Sequence, residues 1–298
     1  MNAQAHESNA EKPSIVLVDC PDEVGLIFKI TGVLSDLRVN IQSNQEFVDT
    51  NTGYFFFRAE VSAPFDVDGG CDGLRDAIHP RLQEALPKEA CVRVVRSERK
   101  PIVICATREP HCLGELLLLD AVGDLPGRIV GVIANHENLR SLVERFGVPF
   151  HCVTHDGVTR EEHEKSLVEI IDGYHPDVIV LARYMRVLSE QFVKRYEQRI
   201  INIHHSFLPA FAGASPYRQA FARGVKIIGA TAHIVTTELD DGPIIAQDVI
   251  HIDHTFTHVR MAQAGRDVEK LVLAKAVRMV LEDRVFLHDG RTVVFETG

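Results

Sequence analysis

At residues 97–101, SERKP, the chain changes how it alternates strands with helices, and that change divides it in two. Ahead of it the apolar patterns run strand (14–20), helix (24–37), strand (40–49), strand (54–62), helix (73–86) and strand (91–97). Spacing by two marks the strands and spacing by three and four marks the helices. The β-α-β-β-α-β order is that of a ferredoxin-like sheet, antiparallel with two helices on one face. Asp49, Thr50, Asn51, Thr52 and Gly53 make its middle turn, because Asn and Gly tolerate the backbone angles required.

Past residue 101 the pattern becomes short apolar strands (101–107, 127–135, 148–154, 176–183) separated by helical stretches such as 136–146 and 160–173. This predicts a doubly wound, mostly parallel α/β sheet of the Rossmann-like kind. Residues 199–206 supply its fifth strand. Strands at 229–235 and 243–252, a helix from about 257 to 282 and a hairpin at 284–295 turning on Asp289-Gly290 complete it. The expected domains are 13–97 and 101–298, with the charged residues 97–100 as linker.

Composition narrows the function. With 45% hydrophobic and 25% charged residues the chain is an ordinary globular protein. Its net charge of −10 argues against nucleic acid as the partner, since phosphate binding draws on Lys and Arg. No segment is apolar enough for a bilayer, and the polar first dozen residues lack the basic start and apolar stretch of a secretory leader, so no membrane role and a cytoplasmic location are expected. The six cysteines, Cys20, Cys71, Cys91, Cys105, Cys112 and Cys152, form no C-x-x-C pair and read as buried free thiols.

The chemistry is concentrated in NIHHSFLPAF, residues 202–211. Strand side chains alternate, so Asn202 and His204 share one face while Ile201 and Ile203 take the other, and His205 turns away from Asn202. Polar groups on an inner face need partners or a purpose, and the carboxyl ends of parallel strands are where such sheets bind ligands. A third polar group comes from TTELDDGPI, residues 236–244. An amide, an imidazole and a carboxylate supply an oxyanion donor, a proton carrier and a base for acyl chemistry. Spacing alone leaves open whether they meet.

NIHHSFLP (202–209), GATAHIV (229–235) and LDDGPIIAQ (239–247) together resemble the signature of folate-dependent formyltransferases, and the likeness extends over about residues 101–286. NIHHSFLPAF, HCLGELL at 111–117 and the small leading domain are similar, more narrowly, to the formyltetrahydrofolate deformylases. That family hydrolyses 10-formyltetrahydrofolate to formate and tetrahydrofolate for one-carbon and purine metabolism. The resemblance implies Asn202, His204 and Asp240 as catalytic residues; Asp240, not Asp241, follows the leucine of the motif. N–H groups of Asn202 and His204 would hold the formyl oxygen, and Asp240 would position water and take its proton, its basicity raised by burial. Such chemistry requires no metal and no tightly bound cofactor.

LARYMRVLS (181–189) resembles the pterin-side loop of that family, which makes Tyr184, Met185, Arg186, Val187 and Leu188 the folate-binding candidates; core packing is the other reading of this stripe. His233 joins them as a supporting residue or, equally, a hydrogen-bonded core histidine. Arg108, Arg183 and Arg186 are candidate partners for anionic groups or simply solvated. His251, His254 and His258 invite a metal reading but lack an H-E-x-x-H or thiolate set, so surface and packing roles are expected.

Through CPDEVGLIFKITGVLSDLRVNI (20–41), residues 14–97 resemble an ACT domain, an amino-acid-binding regulatory module. The likeness implies an effector site at Asp22, Gly25, Asn40 and Ile41, glycine or methionine as effector, and a homodimer or homotetramer. The same turn also serves any fold of this type. Two other functions remain: formyl transfer to an amine, and a non-catalytic amino-acid or folate sensor. Against transfer, the glycine- and serine-containing phosphate loop of glycinamide ribonucleotide formyltransferases is replaced by TREPHCLG (107–114), expected to close the acceptor side and leave room for water. Where methionyl-tRNA formyltransferases add an RNA-binding domain, only a short hairpin is expected after the last helix, and the net charge of −10 is a further objection to a large RNA substrate.

Overall fold

The structure, a computed structural model, describes residues 13–62, 70–209 and 216–296. Residues 210–211 of the NIHHSFLPAF stretch and the side chain of Cys71 lie outside the described residues. The chain forms two compact units that divide between Glu98 and Arg99.

The first unit contains β1 (Ser14–Pro21), α1 (Leu26–Asp36), β2 (Asn40–Asp49), β3 (Tyr54–Ser62), α2 (Gly70–Ala85) and β4 (Cys91–Arg96). Its sheet has the order β2-β3-β1-β4 with every pairing antiparallel. Alternate residues Val16 and Val18 of β1, and Phe55 and Phe57 of β3, pack against Ile30 and Leu34 of α1 and Ile78 and Leu82 of α2. Each such side chain contributes about 1.5–3 kcal/mol on burial. Gly25 starts α1 from a left-handed φ of 93°, a conformation that glycine adopts without strain.

The second unit continues with β5 (Lys100–Ala106), α3 (His111–Val122), β6 (Gly127–Ala134), a 3₁₀ turn (Glu137–Leu139), α4 (Arg140–Glu144), β7 (Phe150–Cys152), α5 (Arg160–Tyr174), β8 (Val178–Ala182), α6 (Glu190–Arg195) and β9 (Ile200–His204). Then come α7 (Pro216–Arg223), β10 (Ile227–Ile234), β11 (Ile244–His251), α8 (His258–Leu281), β12 (Val285–His288) and β13 (Arg291–Val294). Seven strands form the sheet in the order β11-β10-β9-β8-β5-β6-β7. Strands β5 to β9 are parallel, whereas β10 runs antiparallel to both of its neighbours.

Both faces are covered. Ile102, Ile104, Val178, Val180, Ile201 and Ile203 pack with residues of α3 and α8 such as Leu113, Leu116, Leu273 and Val277. Val103, Cys105, Ile179, Leu181 and Ile200 pack on the other face with Leu167 and Ile171 of α5 and Phe192 of α6. Strands buried on both sides explain why 101–107 and 176–183 read as continuous apolar runs.

Three helices escaped the sequence pattern. In α3, Leu116 to Leu119 are consecutive and Leu118 is 51% exposed, so the helical period is blurred. Helices α6 and α7 are shorter than the window over which periodicity is visible. The stretch 136–146 is not one helix but the 3₁₀ turn followed by α4. Of the cysteines, Cys20, Cys105 and Cys112 are buried and Cys152 is half-buried, but Cys91 is exposed. It opens β4 on the outward side, with Val92 and Val94 turned inward, so strand alternation overrides the usual preference of the thiol for the core. Among the described residues no helix is long and apolar enough to cross a membrane.

Candidate active site

The antiparallel direction of β10 assembles the site. Its pairing with β9 sets Thr231 opposite His204 and His233 opposite Asn202. Directly opposed residues on one face lie close enough to interact. Accordingly the Asn202 amide nitrogen is 3.2 Å from His233 Nε2, while His233 Nδ1 is 2.9 Å from the carbonyl of Ile234. Since a carbonyl can only accept, Nδ1–H donates to Ile234 and Nε2 accepts from the amide. The Asn202 NH2 group is thereby oriented, with its second N–H left for another acceptor.

After Ile234 the chain folds back over the face of β9 that carries Asn202 and His204. Gly242 permits this: a Cβ there would stand 1.7 Å from the Ile234 carbonyl oxygen and 3.1 Å from His233 Nδ1. Within this loop Asp240 adopts a left-handed φ of 56°, which Asp tolerates better than most residues, and its carboxylate reaches the strand. Asp240 Oδ2 is 3.1 Å from His204 Nδ1, and Oδ1 is 3.8 Å from His233 Nε2. Asn202, His204, His233 and Asp240 thus converge, whereas Asp241 is exposed.

One electrostatic expectation is corrected. The hydrogen bond from His204 holds the Asp240 carboxyl below its usual range, outweighing the upward push of burial. Asp240 is an ionised partner of His204, and not a carboxylate made strongly basic by a dry pocket. His204 Nδ1 being committed to it, the buried Nε2 is the nitrogen with no hydrogen-bond partner among the described residues. Burial pushes His233 down, which keeps it the neutral acceptor that its two bonds require.

The four residues line a cavity of about 780 Å³, within the range for ligand pockets. Tyr184, Met185, Arg186, Val187 and Leu188 line it as well. Met185 and Val187 are 56% and 59% exposed, an apolar wall that core packing does not account for. Tyr184 instead is buried in the core beside α5 and α6. Arg186 faces the cavity, Arg183 is drawn into an ion pair with Glu269, and Arg108 is not among the lining residues.

Several residues of the site had no role in the sequence reading. Thr231 Oγ1 donates to Ser206 O at 2.9 Å and accepts from Leu208 N at 3.0 Å and Gln247 Nε2 at 2.8 Å, fixing the chain as it leaves β9. Both belong to the motifs, where the final residue of LDDGPIIAQ was the available signal. His205, though turned from Asn202, lines the cavity, its ring tilted against that of His204 at 5.2 Å between ring centres. Burial and then Arg183 push its pKa down to about 4, so it is neutral at pH 7. Tyr217, Arg218 and Arg266 also face the cavity.

The described residues hold one group with the donors for a metal ion: His111, Cys112 and Glu269, within 4.8 Å of one another. The Glu269 carboxylate is paired with Arg183, a cation that would repel a metal, and burial keeps the Cys112 thiol strongly protonated. These residues do not suit an ion. His251, His254 and His258 form no such group among the described residues.

In the first unit, Asp22, Gly25 and Asn40 are exposed and Ile41 is half-buried. Asp22 N bonds to Gly53 O at 2.8 Å, and a register shift separates Ile41 from Ser43 in β2.

Residues 100–277 match the formyl transferase family and residues 14–68 the ACT domain. A formyltetrahydrofolate deformylase of Haemophilus influenzae is 52% identical, covering 94% of this chain and 98% of the relative. The crystal structure of a formyltetrahydrofolate deformylase from Pseudomonas syringae pv. tomato superposes with a TM-score of 0.90 at 41% identity, covering 97% of this chain and 96% of that one. A glycinamide ribonucleotide transformylase from Symbiobacterium toebii matches 66% of this chain and 95% of its own at a TM-score of 0.64 and 28% identity.

Proposed function

The chain belongs to the formyltetrahydrofolate deformylase family and hydrolyses 10-formyltetrahydrofolate to formate and tetrahydrofolate, and we propose that Asn202, His204 and Asp240 carry out that hydrolysis. The observation that carries the assignment is the convergence of the Asp240–His204 pair, at 3.1 Å, with an Asn202 amide already oriented by His233.

The free N–H of Asn202 donates to the formyl oxygen as it gains negative charge. Water attacks the formyl carbon and gives its proton to Nε2 of His204, whose Nδ1–H is held by Asp240. The imidazolium so formed is stabilised by the ionised carboxylate. As the bond between carbon and the folate nitrogen N10 breaks, Nε2 returns the proton to N10, and formic acid leaves and ionises. This assigns the proton transfer to His204 and leaves Asp240 to orient and stabilise. The exposed side chains of Met185 and Val187 form the wall for the pterin ring.

In this reading the enzyme needs no metal or tightly bound cofactor, works in the cytoplasm, and assembles as a homodimer or homotetramer through its ACT units. An amino-acid effector is what an ACT domain suggests; glycine or methionine held by Asp22, Gly25, Asn40 and Ile41 is the specific form proposed. Purified protein mixed with 10-formyltetrahydrofolate and no amine tests the catalytic assignment. Formate appears with the wild type, and Asp240→Asn retains folate binding but loses most turnover. Undiminished formate release by that variant would remove Asp240 from the mechanism.

A further inference from the structure

A buried charge cluster stands beside the reaction centre, and hydrolysis itself makes no use of it. Glu269 lies in the middle of α8 with its side chain only 1% exposed. A carboxylate so placed persists only if paired and hydrogen-bonded. Its partners come from three other parts of the unit: His111 Nε2 from the start of α3 at 2.8 Å, the Tyr217 hydroxyl from α7 at 2.5 Å, and Arg183 Nε from the segment after β8 at 3.4 Å. Burial pushes the carboxyl up, but His111, Arg183 and Tyr217 together outweigh it, so Glu269 is ionised.

Two further features show that the ring of Tyr217 is held in place deliberately by the fold. Gly265, one turn before Glu269, faces it so closely that a Cβ would lie 2.1 Å from the Tyr217 oxygen. Arg183 adopts a left-handed φ of 60°, and its guanidinium is an ion-pair partner of Glu269 only: Nε and Nη1 are both buried with no hydrogen-bond partner among the described residues. Joining helices alone would not favour this arrangement, because apolar residues of similar volume do so at lower desolvation cost. The cluster reaches the reaction centre through His205, whose ring is 6.2 Å from Tyr217 and 5.2 Å from His204. Arg183, His205 and Tyr217 line the same cavity as Asn202, His204 and Asp240.

We propose that His111, Arg183 and Glu269 hold Tyr217 and His205 as a wall beside His204, and that this wall admits water and excludes amines, making the enzyme a hydrolase and not a transferase. The proposal rests on Asn202, His204 and Asp240 being the reaction centre. Both residues of the wall are neutral at pH 7, so they occupy the acceptor space without adding a charge next to the Asp240–His204 pair. His111 belongs to TREPHCLG, and its bond to Glu269 ties that segment to the carboxylate that holds Tyr217.

The test incubates the full-length protein with 10-formyltetrahydrofolate and either hydroxylamine or glycinamide. Formate and the formylated amine are quantified by mass spectrometry and corrected for the reaction without protein. Wild type yields formate alone. Tyr217→Ala opens the wall and raises the ratio of formylated amine to formate by at least about tenfold, the scale on which pocket shape discriminates. Tyr217→Phe and Glu269→Gln keep the volumes and break one bond each; they raise the ratio less and leave the KM for folate near its wild-type value. A ratio unchanged from wild type in Tyr217→Phe and Glu269→Gln, with hydrolysis continuing, overturns the proposal even if Tyr217→Ala fails to fold. Failure of the underlying site would look different, since wild type would then release formate at the same rate as Asp240→Asn.

Discussion

Asn202 is the residue whose removal separates orientation from binding. If its N–H meets the oxyanion and not the ground-state carbonyl, Asn202→Ala lowers kcat by about 10²–10³-fold and changes KM little. A rise in KM with kcat intact would make it a binding residue instead. Asp240 carries a prediction about pH. A carboxyl held below its usual range by His204 is ionised throughout the neutral and mildly acid range, so its protonation causes no loss of rate above about pH 5. An Asp240 carboxyl seen by infrared difference spectroscopy to take up a proton above pH 5 would contradict this. Strand alternation made the shared face of Asn202 and His204 legible in the sequence, whereas Asp240 came only from the resemblance of its motif to that of the formyltransferases. Glu269 was not legible: it occupies an ordinary position in a long amphipathic helix, and its partners Tyr217 and His111 are 52 and 158 residues away. A buried ion pair assembled over such distances leaves no local spacing to read.

Among the elements, the loop 235–243 between β10 and β11 has the most demanding geometry. Strand alternation announced that Asn202 and His204 share a face, but the reversed direction of β10, which puts His233 opposite Asn202, depends on a connection no periodicity encodes. Gly242 tests whether the loop exists to carry Asp240. Its substitution by Ala forces a Cβ against the Ile234 carbonyl, and the backbone must move to relieve it. A displacement of about 1 Å at a catalytic group costs on the order of 10²-fold in rate. Gly242→Ala is therefore expected to lose that much kcat while Tm falls only modestly, because β10 and β11 keep their pairing on both sides. Wild-type kcat in the variant would show that the position of Asp240 does not depend on this close approach.

For the molecule as a whole, buried histidines make stability depend on pH in a definite direction. Burial lowers the pKa of His163, His205 and His233, His205 to about 4. In the unfolded chain each titrates near its ordinary value of 6.5, so between about pH 6.5 and 4 the unfolded state binds more protons than the folded one. Stability must then fall as pH falls through that window. The depressed carboxyls of Asp240 and Glu269 act later: what they contribute is present above their ordinary values of 3.8 and 4.5 and is lost only as pH drops through their lower folded values. The two windows can be separated by one substitution. His205→Asn removes a proton-linked difference worth on the order of 2 kcal/mol across the histidine window, so Tm falls less steeply between pH 7 and 5 than in wild type. Equal slopes in the two proteins would mean that His205 titrates in the fold near its ordinary value of 6.5, so that a cation would stand beside His204 in mildly acid solution where the wall is argued to stay neutral.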